Sequence, residues 1–178
     1  MKTYIALLRG INVSGHKKIL MVDLRALLKK VGFQDVQTYI QSGNVVFQSA
    51  AKPKECQALI YKAILKKYGW EVPILIRTAS EIKKTLDNCP FPQDKKEKSY
   101  FCLLQEIPSE VLIKECQQIA FPNEEFIITP NCVYLYSELG AAKAKLNINF
   151  FERKLKVRAT ARNYRTMNKL LELASLKS

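Results

Sequence analysis

Two glycines and four basic side chains fall within ten residues near the N-terminus: Arg9-Gly10-Ile11-Asn12-Val13-Ser14-Gly15-His16-Lys17-Lys18. Glycine lets a backbone bring its N–H groups close to a ligand, and Arg9, Lys17 and Lys18 with His16 favour an anionic one. The Gly-x4-Gly spacing is that of a P-loop. A P-loop, however, needs Lys and then Ser or Thr directly after the second glycine, to reach phosphate and Mg²⁺. His16 and Lys17 stand in those places, and the apolar period of the next helix begins several residues too late. These residues therefore read as an anion-binding loop built on Arg9, Asn12, His16 and Lys17, not as a nucleotide-hydrolysing one. A flexible basic loop is the plainer reading of the same composition.

Two further segments could face the same ligand. The turn at residues 39–44 is polar at its tip and offers Gln41, Ser42 and Asn44, although hairpin tips are polar for conformational reasons alone. Near the other end, nine basic residues between Lys143 and Lys169, Lys145 among them, stand against Glu152 alone. On a helical wheel Met167, Leu170, Leu171 and Ala174 share one face. Arg162, Arg165 and Lys169 lie nearly opposite, which predicts an exposed basic stripe. A helix opening near Thr160 or Asn163 puts Arg162 and Asn163 beside a positive helix terminus, an arrangement that is unfavourable without an anion. The expectation is that Arg9 and Arg162, from opposite ends of the chain, meet over one anion-binding hollow.

Other chemistry has thin support. A lone histidine, His16, leaves no His-rich metal site, and Ser42 with His16 lacks the G-x-S-x-G context of a hydrolase nucleophile. Cys56, Cys89, Cys102, Cys116 and Cys132 are scattered, odd in number and free of C-x-x-C, the pattern of buried free thiols in a reducing compartment. No cofactor is implied. No apolar run approaches the roughly 18 residues of a membrane span, and the first residues read as a strand instead of a signal peptide. The expected location is the cytosol, without membrane insertion. The net charge of +13, most concentrated between Lys143 and Lys169, points to an anionic partner (nucleic acid, a nucleotide, an acidic protein or membrane headgroups), or else serves solubility only.

The elements that must position these residues follow from periodicity. Residues 3–9 read as a strand buried on both sides. Leu24, Leu27, Leu28 and Val31 recur at helical spacing, with Gly32 at the C-cap. Residues 36–40 and 44–48 form a hairpin about Gly43. A helix from Pro53 to Gly69 buries Cys56, Leu59, Ile60, Ala63 and Ile64. A strand at 71–77 and a helix opened by a Thr78/Glu81 capping box complete the half. That order is βαββαβ, a ferredoxin-like unit over residues 1–90. After a linker, residues 98–178 repeat it: strands at 100–105, 126–129, 132–136 and 156–160, a helix at 108–120, another carrying Leu139, Ala142, Leu146 and Phe150, and a basic C-terminal helix. The predicted class is α+β, two ferredoxin-like halves with antiparallel sheets. Sheets of this kind often dimerise, so a homodimer stays open.

The runs Leu7-Leu8-Arg9-Gly10-Ile11-Asn12-Val13, Met21-Val22-Asp23-Leu24-Arg25-Ala26-Leu27 and Thr38-Tyr39-Ile40-Gln41-Ser42-Gly43-Asn44-Val45-Val46-Phe47, with Ala159-Thr160-Ala161-Arg162-Asn163-Tyr164-Arg165-Thr166 near the end, closely resemble the DUF1697 family of bacterial proteins of unknown function. The resemblance implies that the three candidate segments are the family's signature segments. It departs at Ser14, Ala161 and Tyr164, where the family usually has Gly, Thr and Trp. The family's Gly-Arg-Ser-Lys-Leu element is reduced here to Ala142-Lys143-Ala144-Lys145-Leu146, so no mechanism can use that serine. Three functions compete: an anion-binding module for a phosphorylated ligand, nucleotide or nucleic acid; a transferase or hydrolase acting on a phosphorylated substrate; and a protein-interaction scaffold.

Overall fold

Eight strands and seven helices alternate in the computed structural model, which describes residues 1–176. The first half runs β1 (Lys2–Leu8), α1 (Met21–Lys30), β2 (Gln34–Tyr39), β3 (Asn44–Ser49), α2 (Pro53–Tyr68), β4 (Ile74–Arg77) and α3 (Ala79–Asp87). A short helix, α4 (Gln93–Lys96), lies within the predicted linker. Then follow β5 (Tyr100–Leu104), α5 (Glu110–Gln117), β6 (Glu124–Ile128), β7 (Cys132–Ser137), α6 (Ile148–Leu155), β8 (Ala159–Asn163) and α7 (Tyr164–Ser175). The sheets have the orders β2-β3-β1-β4 and β6-β7-β5-β8, with every pairing antiparallel. This is the ferredoxin-like order, made twice. By contacts the chain separates into one unit of Met1–Lys83 with the residues from Asn168 on, and a second of Lys84–Met167.

In the first unit β1 is the inner strand next to β3 and β4, and Tyr4 through Leu8 are all buried. Tyr4, Ala6 and Leu8 share a core with Leu24 and Leu28 of α1 and Cys56, Ile60 and Ile64 of α2. Pro53 opens α2, where its missing N–H costs nothing, and Gly69 closes it in the left-handed region at φ 73°. Thr78 and Glu81 form the expected capping box on α3: the Glu81 N–H donates to Thr78 Oγ1 at 3.2 Å and the Thr78 N–H to Glu81 Oε2 at 2.7 Å. Leu59 departs from the reading. It is 40% exposed, because the buried stripe of α2 runs through Cys56, Ile60 and Ile64 only.

The second unit corrects two boundaries. The helix expected to carry Leu139 and Ala142 does not start there. Gly140 adopts φ 79°, Leu139 is exposed, and the Glu124 carboxylate accepts the Lys145 and Leu146 N–H groups at 2.7 Å each. Helix α6 opens only after Asn147, whose Oδ1 accepts the Phe150 N–H at 3.1 Å. The strand expected at 156–160 begins later, at Ala159. Lys156 is the left-handed C-cap of α6 at φ 54°, and Glu152 Oε1 accepts the Ala159 N–H at 2.7 Å. The shift carries β8 on through Asn163, so Arg162 lies on a strand and not on the last helix.

Gly43 has the least room of the glycines in the first half. A Cβ there would stand 2.7 Å from Leu8 Cβ and 2.9 Å from Ile11 Cδ1, at φ 83°. Gly69 shares the left-handed backbone but has open space around it. Gly43→Ala should therefore cost the left-handed penalty of about 1–2 kcal/mol plus an overpacking penalty of about 1–3 kcal/mol. Gly69→Ala should carry the first cost alone. Urea midpoints of the two variants measure the difference, and equal losses would contradict the close-packing account.

Candidate functional site

The two halves make the same backbone bonds at the end of their first strand. The Leu8 N–H donates to Gly43 O at 2.8 Å and the Arg9 N–H to Pro73 O at 2.9 Å. In the second half the Leu104 N–H donates to Asn131 O at 2.9 Å and the Gln105 N–H to Arg158 O at 2.8 Å. From these equivalent points they diverge. The second half reaches α5 through residues 105–109, whereas the first uses residues 9–20 to reach α1. The longer connector is thus not a requirement of the fold.

Asn12 organises that connector. It sits in the left-handed region at φ 55°, a conformation asparagine tolerates better than most residues. Its Nδ2 donates to Ile19 O at 3.0 Å and to Gln41 O at 2.8 Å, and its Oδ1 accepts the Ile19 N–H at 2.8 Å. The Asn12 N–H donates to Lys17 O, and the His16 N–H to Val13 O. Ser14, Gly15 and Lys17 also take positive φ, so the chain doubles back tightly. Lys17 Nζ donates to Glu71 O at 2.6 Å, anchoring the far side. The loop is held to the hairpin turn by one side chain, so two of the predicted segments do come together.

Within that pair the residues divide. His16, Gln41 and Ser42 are exposed, and Arg9, Asn12 and Lys17 are half-buried. Asn44 is fully buried, and its Nδ2 donates to Tyr39 O at 3.0 Å and Ser42 Oγ at 2.9 Å, shaping the turn from inside. The sequence reading missed Glu71, whose carbonyl receives Lys17, and Ile11, which packs into the core against the turn. Burial of Ile11 and Ile19 at the two ends of a basic loop is the signal that such a loop is anchored.

The remaining candidates belong to the second unit. Lys145 is exposed, with its ammonium 5.9 Å from the Phe121 ring centroid. Arg165 is exposed in the first turn of α7. Asn163 caps that helix, its Oδ1 accepting the Thr166 N–H at 2.9 Å. Arg162 overturns the expected exposed stripe: it is only 8% exposed, and its Nη1 donates to Ala161 O at 2.8 Å. It pairs in register with Phe101. Burial lowers its guanidinium to about 10, which still leaves it charged at neutral pH. The equivalent position of the first half is Arg77, in register with Ile5 and donating to Ile76 O at 3.0 Å. Each arginine directly precedes the residue that caps the following helix, Thr78 or Asn163, so an arginine here is a feature of the repeat. The correspondence shows only in the strand registers, because connectors of unequal length hide it in the sequence.

Burial pushes the Cys56, Cys89 and Cys116 thiols up, away from the reactive thiolate. Among the described residues no group of three or more His, Cys, Asp or Glu is placed to hold a metal ion, and no helix is long and apolar enough to cross a membrane.

A family model described as "Protein of unknown function (DUF1697)" matches residues 1–134. The chain belongs to the DUF1697 family. No curated protein matches it. Among solved structures, the conserved bacterial protein SP0830 from Streptococcus pneumoniae shares the fold with a TM-score of 0.75 at 22% sequence identity, across 97% of this chain and 98% of that one. At that identity the likeness establishes the architecture alone. In this DUF1697 protein the family match contains both halves of the loop-and-turn pair, residues 9–20 and 39–44.

Asn12→Gly keeps the left-handed backbone free of strain and removes all three side-chain hydrogen bonds. At about 1 kcal/mol net each, it should lower stability by about 1–3 kcal/mol. The Ile19 amide should lose its protection against hydrogen exchange. Unchanged protection at Ile19 would show that Asn12 does not hold the loop.

Proposed function

We propose that this DUF1697 protein is an anion-binding module whose site is the basic loop at residues 9–18 together with the Gln41–Ser42 turn, and that its ligand carries phosphate. The observation that carries this reading is the contrast between the halves. The same fold closes with a short connector in the second half, so the longer and more basic one in the first half is free to serve binding. Left-handed residues at Asn12, Ser14, Gly15 and Lys17 turn successive peptide groups within a short span, the kind of backbone that forms concave anion-binding nests. Arg9, His16, Lys17 and Lys18 add positive charge there, and the overall charge of +13 draws anions toward the molecule. The Asn12 clasp keeps the loop in one shape before a ligand arrives, which reduces the ordering cost of binding.

Arg162 has a different place in this reading. Its guanidinium is buried beside its own strand, so the proposed site rests on the first unit, and Lys145, Asn163 and Arg165, which belong to the second, are not part of it.

Titration with pyrophosphate and with a short single-stranded oligonucleotide, each at several salt concentrations, tests the proposal. Binding should weaken as salt rises. Lys17→Gln combined with Lys18→Gln should weaken it about tenfold or more at low salt. For the oligonucleotide the pair should also lower the logarithmic salt slope by about 1.4, roughly 0.7 per lost phosphate contact on a single strand. The reading fails if both probes bind the double variant as tightly as the parent, or bind neither.

A further inference from the structure

The crossovers back to the outer strands use comparable lengths of chain, residues 50–73 in the first half and 138–158 in the second, but fold them differently. Helix α2 has 16 residues and starts soon after β3. Helix α6 has 8, and begins only after residues 138–147 have run as irregular chain. At 1.5 Å per residue the second helix is about 12 Å shorter. The irregular segment stands in for the missing turns, tethered where the Glu124 carboxylate accepts the Lys145 and Leu146 N–H groups. Between it and the sheet lies a cavity of about 210 Å³.

Cys102, Leu135 and Ala161 line the sheet side of this cavity, and Ala141, Ala144 and Leu146 line the loop side. Cys102 pairs with Ala161, and Tyr100 with Leu135, so the floor spans three neighbouring strands, β7, β5 and β8. A floor of small apolar groups suits a flat hydrocarbon. The volume exceeds the roughly 150 Å³ at which an apolar protein cavity takes up benzene, yet falls short of the roughly 300 Å³ of ordinary drug-sized sites. The sheltered space matches one ring or a short acyl chain. Two charged residues line it, Lys98 and Glu124. The Glu124 oxygens are engaged by backbone amides, whereas Lys98 is exposed and offers an ammonium to a head group.

We propose that this cavity is a second binding site, for a small monocarboxylate with one aromatic ring or a short acyl chain: the apolar part rests on Leu135 and Ala161, with buried Cys102 beneath them, and the carboxylate pairs with Lys98. The site lies wholly within the second unit and does not depend on the loop at residues 9–18. Charge-assisted pairing with an exposed lysine orients the ligand, and contact with the apolar lining supplies most of its affinity.

Amide chemical shifts of the full chain, titrated with benzoate and separately with benzyl alcohol, provide the test. Benzoate should produce saturable shifts at Cys102, Ala144 and Ala161. Ala144→Leu should fill the cavity and weaken binding at least about tenfold, the effect of losing roughly 1.4 kcal/mol. Ala141→Leu, on an exposed part of the same loop, gives a second block should the first variant misfold. Lys98→Gln should weaken benzoate about threefold, as befits an exposed ion pair, and leave benzyl alcohol unchanged. Shifts that stay linear into the millimolar range, or that persist unchanged in both leucine variants, overturn the site. Equal binding of both probes with no effect of Lys98→Gln overturns the carboxylate assignment.

Discussion

Leu8 and Gly43 meet so closely that no side chain fits between them, and the first half is arranged around that contact. Leu8 is the last residue of a strand buried on both faces, and its N–H is bound to the Gly43 carbonyl. Ile11 crowds the same face of the glycine and ends in the core. The chain leaving β1 must therefore pass directly over the hairpin turn, and from there Asn12 can reach the Gln41 carbonyl. The polar loop is placed by apolar packing at its base and held by one amide at its crown. Neither alone would suffice: the packing sets where the loop starts, and the amide sets its path.

The duplication separates what the fold needs from what it does not. Both halves share strand order, the two backbone bonds at the end of the first strand, an arginine before the capping residue, and a capped helix after the fourth strand. Two of their differences bear on binding. The first half lengthens the connector after its first strand, and the second shortens the helix before its last. One change makes a basic loop over a hairpin turn, the other a small apolar cavity over a sheet. A sheet of four antiparallel strands tolerates both because its stability comes from the inner strands and the helices packed on them, not from the connectors.

Much of the fold was legible in the residues themselves. Pro53, Gly69 and the Thr78/Glu81 pair mark helix ends by local chemistry, and these landmarks hold in the structure. The misreadings cluster in the second half, where tertiary partners override local pattern. The spacing of Leu139, Ala142, Leu146 and Phe150 is helical. However, Glu124, distant in sequence, binds the amides that a helix would have used, and Gly140 turns the chain away. On the candidate site, composition picked out the loop and the turn but could not reveal that Asn12 joins them, because a hydrogen bond across 29 positions has no local signature.

By itself the sequence determined the order of elements, the antiparallel ferredoxin-like class and the basic character of the loop, since periodicity, capping residues and charge are properties of neighbours along the chain. Only the tertiary structure decided which polar side chains are scaffold and which face outward. Arg162 shows the difference: on a wheel it belongs to an exposed stripe, yet a strand boundary moved by the left-handed Lys156 and by Glu152 buries it. Burial depends on what packs over a residue, and no spacing along the chain contains that.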